Sequence, residues 1–166
     1  PKPFSPADYE RMRVAMKYGE ETEVSGIGEG IHRPFKIKFA SGFEMDPLDC
    51  RVAVAKTVWS QFETKRYCKS MDARVTGPER EILAWDLDRV MGLDLVPPVV
   101  GREVQTIGWS SVQCWVMAKV AWELYDSGEY KYKKDLSNPW LHRMAAWDVI
   151  TGQIDRHSAN FMIDDQ

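Results

Sequence analysis

The sequence predicts an α+β fold: an antiparallel sheet that carries one helix, followed by the beginning of a helical segment. Three observations predict it. Phe35, Ile37 and Phe39 alternate with lysines, and Val112, Cys114 and Val116 alternate in the same way, which is the period of a strand with one buried face. Between these runs, Thr76-Gly-Pro-Glu79 opens a helical pattern that Gly92 closes. Past them, a second helical pattern from Asn138-Pro139 to Thr151 runs into a short polar loop and the apolar run Phe161-Met162-Ile163. One domain is the default for 166 residues, and 44% hydrophobic with 11% aromatic content supports a sizeable core.

Composition also excludes partners. A net charge of -3 gives no global attraction to nucleic acid or anionic lipid, and no arginine-rich stripe interleaved with aromatics is present, so no nucleic acid is expected as a partner. No run reaches the roughly 18 apolar residues of a membrane span, and the first residues lack the basic-then-apolar layout of a signal peptide. The chain begins at Pro1 without a methionine, which leaves room for an upstream targeting segment, so the compartment stays open. Cys50, Cys68 and Cys114 contain no C-x-x-C pair and are odd in number, which argues against a zinc knuckle or a disulfide scaffold; ordinary thiols, some of them buried, are expected.

In chain order, residues 1–20 read as an N-terminal extension packing on the domain, with helical turns over Asp8 to Met16 that place Tyr9, Met12 and Met16 on one side. Residues 21–118 follow as a sheet-rich lobe. Val24-Ser-Gly26-Ile-Gly28-Glu-Gly30 and Pro34 to Phe39 read as strand, glycine loop, strand. Gly26, Gly28 and Gly30 would let backbone N–H groups approach a phosphate without Cβ clashes, although alternating glycines also make plain flexible turns. After a turn around Gly42 and Asp46-Pro47, Cys50 to Trp59 is rich in β-branched residues and reads as a central strand, with Val52, Val54 and Lys56 on one face. Residues 60–75 are a charged, irregular connection.

The capped helix then spans about 77–91, with Leu83, Ala84, Leu87, Val90 and Met91 as its apolar face. Two glutamates flank that stripe and either could pair with Lys56. Glu79 has a competing task in the capping box, whereas Glu81 sits one turn further in. Pro97-Pro98 ends helical structure and leads into another strand. The strand through Val112 and Val116 runs into a connection at Val116, Met117 and Ala118, ahead of a helical stretch from Ala121 to Tyr125. Lys131 to Lys134 is a solvated loop. Residues 119–166 form the last segment. In its helix from Asn138-Pro139 to Thr151, Trp140, Leu141, Met144 and Trp147 share one side. Asp148 falls on that apolar face, where a carboxylate needs donors, and the turn carrying Arg156 and His157 is the nearest supply.

The chemistry-bearing stretch is Asp148-Val-Ile-Thr-Gly-Gln-Ile-Asp155-Arg-His-Ser-Ala-Asn160. Asp155 and Asn160 stand five apart in a polar loop, the spacing of a kinase catalytic loop, in which the Asp orients the attacking hydroxyl and the Asn holds a metal ion bridging nucleotide phosphates. Upstream come a glycine cluster, a strand Val52-Ala-Val-Ala-Lys56 that ends in lysine, as the V-A-x-K strand of a kinase small lobe does, and a capped helix carrying glutamate, the other parts of that chemistry in the same order. In that arrangement Val116, Met117 and Ala118 are the hinge whose backbone would hydrogen-bond adenine.

From Glu81-Ile-Leu-Ala-Trp-Asp-Leu-Asp-Arg-Val-Met-Gly-Leu-Asp-Leu-Val-Pro-Pro-Val-Val-Gly-Arg102 the chain resembles the secretory-pathway kinases of the Golgi casein kinase and four-jointed family. Residues 148–157 are similar to that family's F/D-x-x-x-G-N-x-D-R-H loop, and the resemblance runs, with gaps, from about residue 14 to the end. It extends to the broader phosphatidylinositol-kinase-like group. Two departures stand out: Gln153 replaces the usual asparagine, and Asn160 stands where the Golgi casein kinases have an acidic residue, closer to the lipid-kinase form D-R-H-x-x-N.

The resemblance implies a protein-kinase-like fold, with residues 21–118 as the small lobe and 119–166 as the hinge and the start of the large lobe. It implies Lys56 as the phosphate lysine, Glu81 as its helix partner and Asp155 as the catalytic aspartate, with ATP and Mg²⁺ or Mn²⁺ as cofactors and a hydroxyl-bearing acceptor, first a protein Ser/Thr, then a glycan or a lipid. The second metal ligand, an aspartate about ten residues past the loop asparagine, is expected beyond Gln166, because Asp164 and Asp165 come too soon. The chain is therefore expected to be truncated after the catalytic loop and inactive by itself. The alternative is a pseudokinase that binds nucleotide or a regulatory partner, or assembles as a homo-oligomer; a secretory location follows only from the resemblance.

Overall fold

The structure is a computed structural model that describes residues 4–27, 34–57, 77–128, 139–151 and 161–163. It is α+β, with an antiparallel sheet of six strands and a few helices. The chain divides into two compact units, one of Lys2–Val116 and one holding Met117–Gln166.

The first unit starts with α1 (Pro6–Tyr18), which extends two residues beyond the expected turns at each end; a reciprocal capping box between Ser5 and Asp8 sets its start. Its Met12 and Met16 are wholly buried. Then come β1 (Glu21–Gly26), β2 (Phe35–Phe39), the short β3 (Glu44–Met45) and β4 (Leu48–Thr57). The next elements are α2 (Gly77–Met91), β5 (Val99–Val104) and β6 (Gly108–Val116). The sheet order is β1-β2-β4-β6-β5, with β3 paired to β4, so β4 is central.

Strand alternation sorts the two faces. Ile37, Ala53, Ala55, Val100, Val112 and Cys114 join Met12 and Met16 in one buried cluster. The intervening residues Lys36, Val54, Lys56 and Gln113 are paired across β2, β4 and β6 on the opposite, half-buried face. Small alanines on β4 make room for the α1 methionines, and Ile37 and Val112 fill the sides. At roughly 25 cal/mol per Å² of apolar area, burial of this cluster is the main force holding α1 on the sheet.

Arg102 of β5 strengthens that attachment. Its guanidinium donates to the carbonyls of Met16 (2.7 Å) and Gly19 (3.0 Å) at the end of α1 and pairs with Glu21 (2.7 Å). The last carbonyls of a helix lack partners within it, so a cation there both satisfies them and complements the helix dipole.

The apolar face expected on α2 requires correction. Leu83, Leu87, Val90 and Met91 are 56%, 38%, 85% and 37% exposed, whereas Pro78, Trp85 and Asp88 are buried. The helix is rolled by what its other face can offer: Trp85 supplies the largest apolar area and Asp88 an acceptor for chain beyond the helix, and these outweigh the four medium-sized apolar side chains. Gly92 ends α2 in the left-handed conformation (φ 63°), as a glycine after a helix does.

The second unit contains β7 (Lys119–Val120), α3 (Ala121–Asp126), α4 (Pro139–Thr151) and β8 (Met162–Ile163). β7 and β8 pair antiparallel, Lys119 opposite Ile163 and Val120 opposite Met162, and the Ala121 N–H donates to the Phe161 carbonyl at 3.1 Å. On α4 Trp147 is buried, Leu141 and Met144 are half-buried and Trp140 is 41% exposed.

Candidate functional site

Lys56 lies near the end of the central strand, opposite Ser111 of β6. A ten-residue β4, flanked on both sides by paired strands, gives this lysine a backbone that cannot swing. Its ammonium donates to Glu81 Oε1 at 2.7 Å. Of the two glutamates that the sequence leaves open, the structure therefore pairs Glu81, while Glu79 is exposed on the preceding turn. The side chains of Lys56 and Glu81 are 34% and 33% exposed. At that exposure the pair adds only about 1 kcal/mol or less to stability. Its consequence is geometric: it fixes a cation whose surface still reaches solvent.

Glu81 is held in place from further along α2. Asp88, wholly buried seven residues later on the same face, accepts from the Leu95 N–H (3.1 Å) and the Val96 N–H (3.4 Å) and from Arg89 (2.5 Å). Arg89 also binds Asp94 (2.5 Å), and its guanidinium lies 4.4 Å from the Tyr9 ring centroid and 4.5 Å from that of Trp85. The Tyr9 hydroxyl donates to Asp94 at 3.1 Å, and burial pushes this phenol up to about 12. These contacts lock the end of α2 to α1 and to the connection entering β5. Sequence reasoning missed Asp88, Arg89 and Arg102. The available signal was Asp88 at helical spacing from Glu81 and Trp85, just before the double proline, where a carboxylate is well placed to receive the N–H groups of a turn.

Lys36 and Lys38 of β2 are further cations on this face of the sheet: the Lys36 ammonium stands 4.4 Å from the Trp115 ring centroid, and Lys38 pairs with Glu23 at 2.7 Å. Gly26 ends β1 opposite Phe35, while Gly28 and Gly30 lie outside the described residues. Val116 ends β6, and Met117 and Ala118 stand between it and β7, at the point where the chain divides into its two units. Asp148 is half-buried on α4 and is not without a partner; the turn expected to supply its donors lies outside the described residues. The same holds for Asp155, Arg156, His157 and Asn160.

An accessible, anchored ammonium on a sheet face fits an anionic group such as a phosphate. For a divalent ion, the residue the sequence assigns is Asn160, and among the described residues no group of three or more His, Cys, Asp or Glu is placed to hold a metal. Also among the described residues, no helix is long and apolar enough to cross a membrane. Compared with known proteins, the chain matches no family model, no curated protein and no solved structure.

Proposed function

We propose that this chain belongs to a phosphotransferase that moves the γ-phosphate of ATP to a hydroxyl acceptor, in the first instance a protein Ser/Thr. The observation that carries the reading is the 2.7 Å pair between Lys56 on the central strand and Glu81 in the second turn of α2. Phosphoryl transfer asks little covalent chemistry of a protein and much positioning, and kinases use a strand lysine held by a helix glutamate to set the α- and β-phosphates. A lysine on a rigid strand, held by one carboxylate oxygen and a third exposed, meets that need.

Chain order adds support. A strand pair around the glycine cluster precedes β4, the lysine strand; the glutamate helix follows it; two more strands lead to Val116, Met117 and Ala118; and a helix precedes the loop with Asp155 and Asn160. This is the order of parts in a protein kinase, and the sequence resemblance to the Golgi casein kinase and four-jointed kinases points the same way. In this reading Lys56 binds phosphate oxygens and Glu81 orients Lys56. The backbone of 116–118 takes adenine, Asp155 orients the acceptor hydroxyl, and Asn160 takes the Mg²⁺ or Mn²⁺ ion. That ion, when bound, neutralises phosphate charge.

The test has two parts. ATP binding by the 166-residue chain is measured calorimetrically with each metal, for the wild type and for Lys56→Met, with folding checked by circular dichroism. The expected result is at least a tenfold weakening in the variant with the spectrum unchanged. Transfer from γ-labelled ATP is then measured for the full-length protein and its Asp155→Ala variant against protein, glycan and lipid acceptors, and the variant should lose activity by orders of magnitude. Absence of ATP binding by the folded wild-type chain, or equal binding by Lys56→Met, refutes the nucleotide site. Binding without transfer to any acceptor assigns the regulatory pseudokinase instead.

A further inference from the structure

Cys50 and Cys114 come from neighbouring strands 64 positions apart in sequence, and their sulfurs stand 3.2 Å from each other. Cys50 sits in the irregularity of the β4–β6 ladder between Asp49 and Ala53, and Cys114 faces Ala53 across it. Both belong to the cluster that packs α1 on the sheet, and they are 0% and 1% exposed. The two are not directly opposite in the ladder; the irregularity brings the Cys50 sulfur into the same buried cluster as that of Cys114, and from 3.2 Å the sulfurs have only to close to the roughly 2.05 Å of a disulfide bond.

We propose that Cys50 and Cys114 are an oxidisable pair that closes to a cross-strand disulfide under a small two-electron oxidant such as hydrogen peroxide. One sulfur, as thiolate, attacks a peroxide oxygen; the O–O bond breaks, giving a sulfenic acid and a hydroxide that leaves as water with the thiol's proton. The second sulfur then attacks the sulfenic sulfur, the S–O bond breaks, and a second water leaves with the second thiol's proton. Two thiols give up two electrons, and one peroxide becomes two waters.

The same surroundings set the pace. The hydrogen bond with Cys50 and then burial push the Cys114 thiol far up, and only the thiolate attacks. Closure in the native fold is slow, and a bulky oxidant such as glutathione disulfide has no approach to a pair this deeply buried. Once made, the bond ties β4, which carries Lys56, to β6 at the middle of the sheet. This holds whether or not Lys56 and Glu81 meet a nucleotide.

The experiment uses the chain with Cys68→Ser, in which any internal disulfide must join Cys50 to Cys114. The folded protein is exposed to hydrogen peroxide, unfolded in denaturant with iodoacetamide, and analysed by intact mass and peptide mapping. The expected product is two hydrogens lighter, takes up no alkyl group, yields one linked peptide pair and recovers both thiols with dithiothreitol. The same mapping on the unsubstituted chain, where Cys68 competes, should return the same pair. Full alkylation at Cys50 and Cys114 after peroxide, oxidation to sulfinic acid without a link, a link between two chains, or a link that includes Cys68 each overturns the proposal.

Discussion

Replacing Asp88 by alanine removes the acceptor that ends α2, and the structure sets the size of the loss. Three donors converge on this wholly buried carboxylate: the Leu95 N–H at 3.1 Å, the Val96 N–H at 3.4 Å and Arg89 at 2.5 Å. Arg89 keeps Asp94, so its share of the loss is small. The Leu95 N–H loses a charged acceptor at good distance, worth about 1.5–3 kcal/mol, and the longer Val96 contact adds about 0.5 kcal/mol. The expected total is about 3 kcal/mol, a large part of the roughly 5–15 kcal/mol that stabilises a domain. Asp88→Asn keeps the shape and one acceptor oxygen but loses the charge, so about half that cost is expected. Urea unfolding followed by circular dichroism measures both variants. A loss below about 1 kcal/mol for alanine, or equal losses for alanine and asparagine, would refute the view that Asp88 acts as a hydrogen-bond acceptor for the turn.

Arg102→Ala should cost about 3 kcal/mol, because it leaves the Glu21 carboxylate, 9% exposed, without its cation and two helix-end carbonyls without their donor. In the same urea assay, adding Glu21→Gln should recover part of that loss. Gly42→Ala should destabilise by about 1–3 kcal/mol, since a Cβ there would stand 2.8 Å from the Cys50 carbonyl oxygen and 3.0 Å from Arg51 backbone atoms, none of which can rotate away. A melting temperature equal to the wild type's would contradict this. In alkaline titration, Tyr9 should ionise near 12 rather than near 10.0, because burial favours the neutral phenol. A folded pKa raised in this way supports stability below about pH 10 and withdraws it as pH rises through about 12. The tyrosinate absorbance of the wild type minus that of Tyr9→Phe isolates the step, and a midpoint near 10 would show an unburied hydroxyl.

Local periodicity made much of this protein legible from its residues. Alternation at Phe35, Ile37 and Phe39 and at Val112, Cys114 and Val116 announces strands, and the structure has β2 and β6 there, because a strand's two-residue period is written between near neighbours. The bounds of α2 follow equally from Pro78 and Gly92, local devices that start and stop a helix. Which glutamate meets Lys56 was not legible, since Glu79 and Glu81 flank the same stripe and the choice depends on how far α2 is rolled. That roll is set by Trp85 meeting Tyr9 (ring centroids 5.1 Å apart) and by Asp88 receiving Leu95 and Val96, contacts no helical period contains. The same limit hid the meeting of Cys50 and Cys114, because strands β4 and β6 are adjacent only after the chain has left for α2 and β5 and returned. Sequence alone determined the kinds of element and the residue types on which the proposed phosphate chemistry draws. Tertiary packing decided which side chains meet, because a helix or strand specifies the faces it can show and only its neighbours determine which of them is buried.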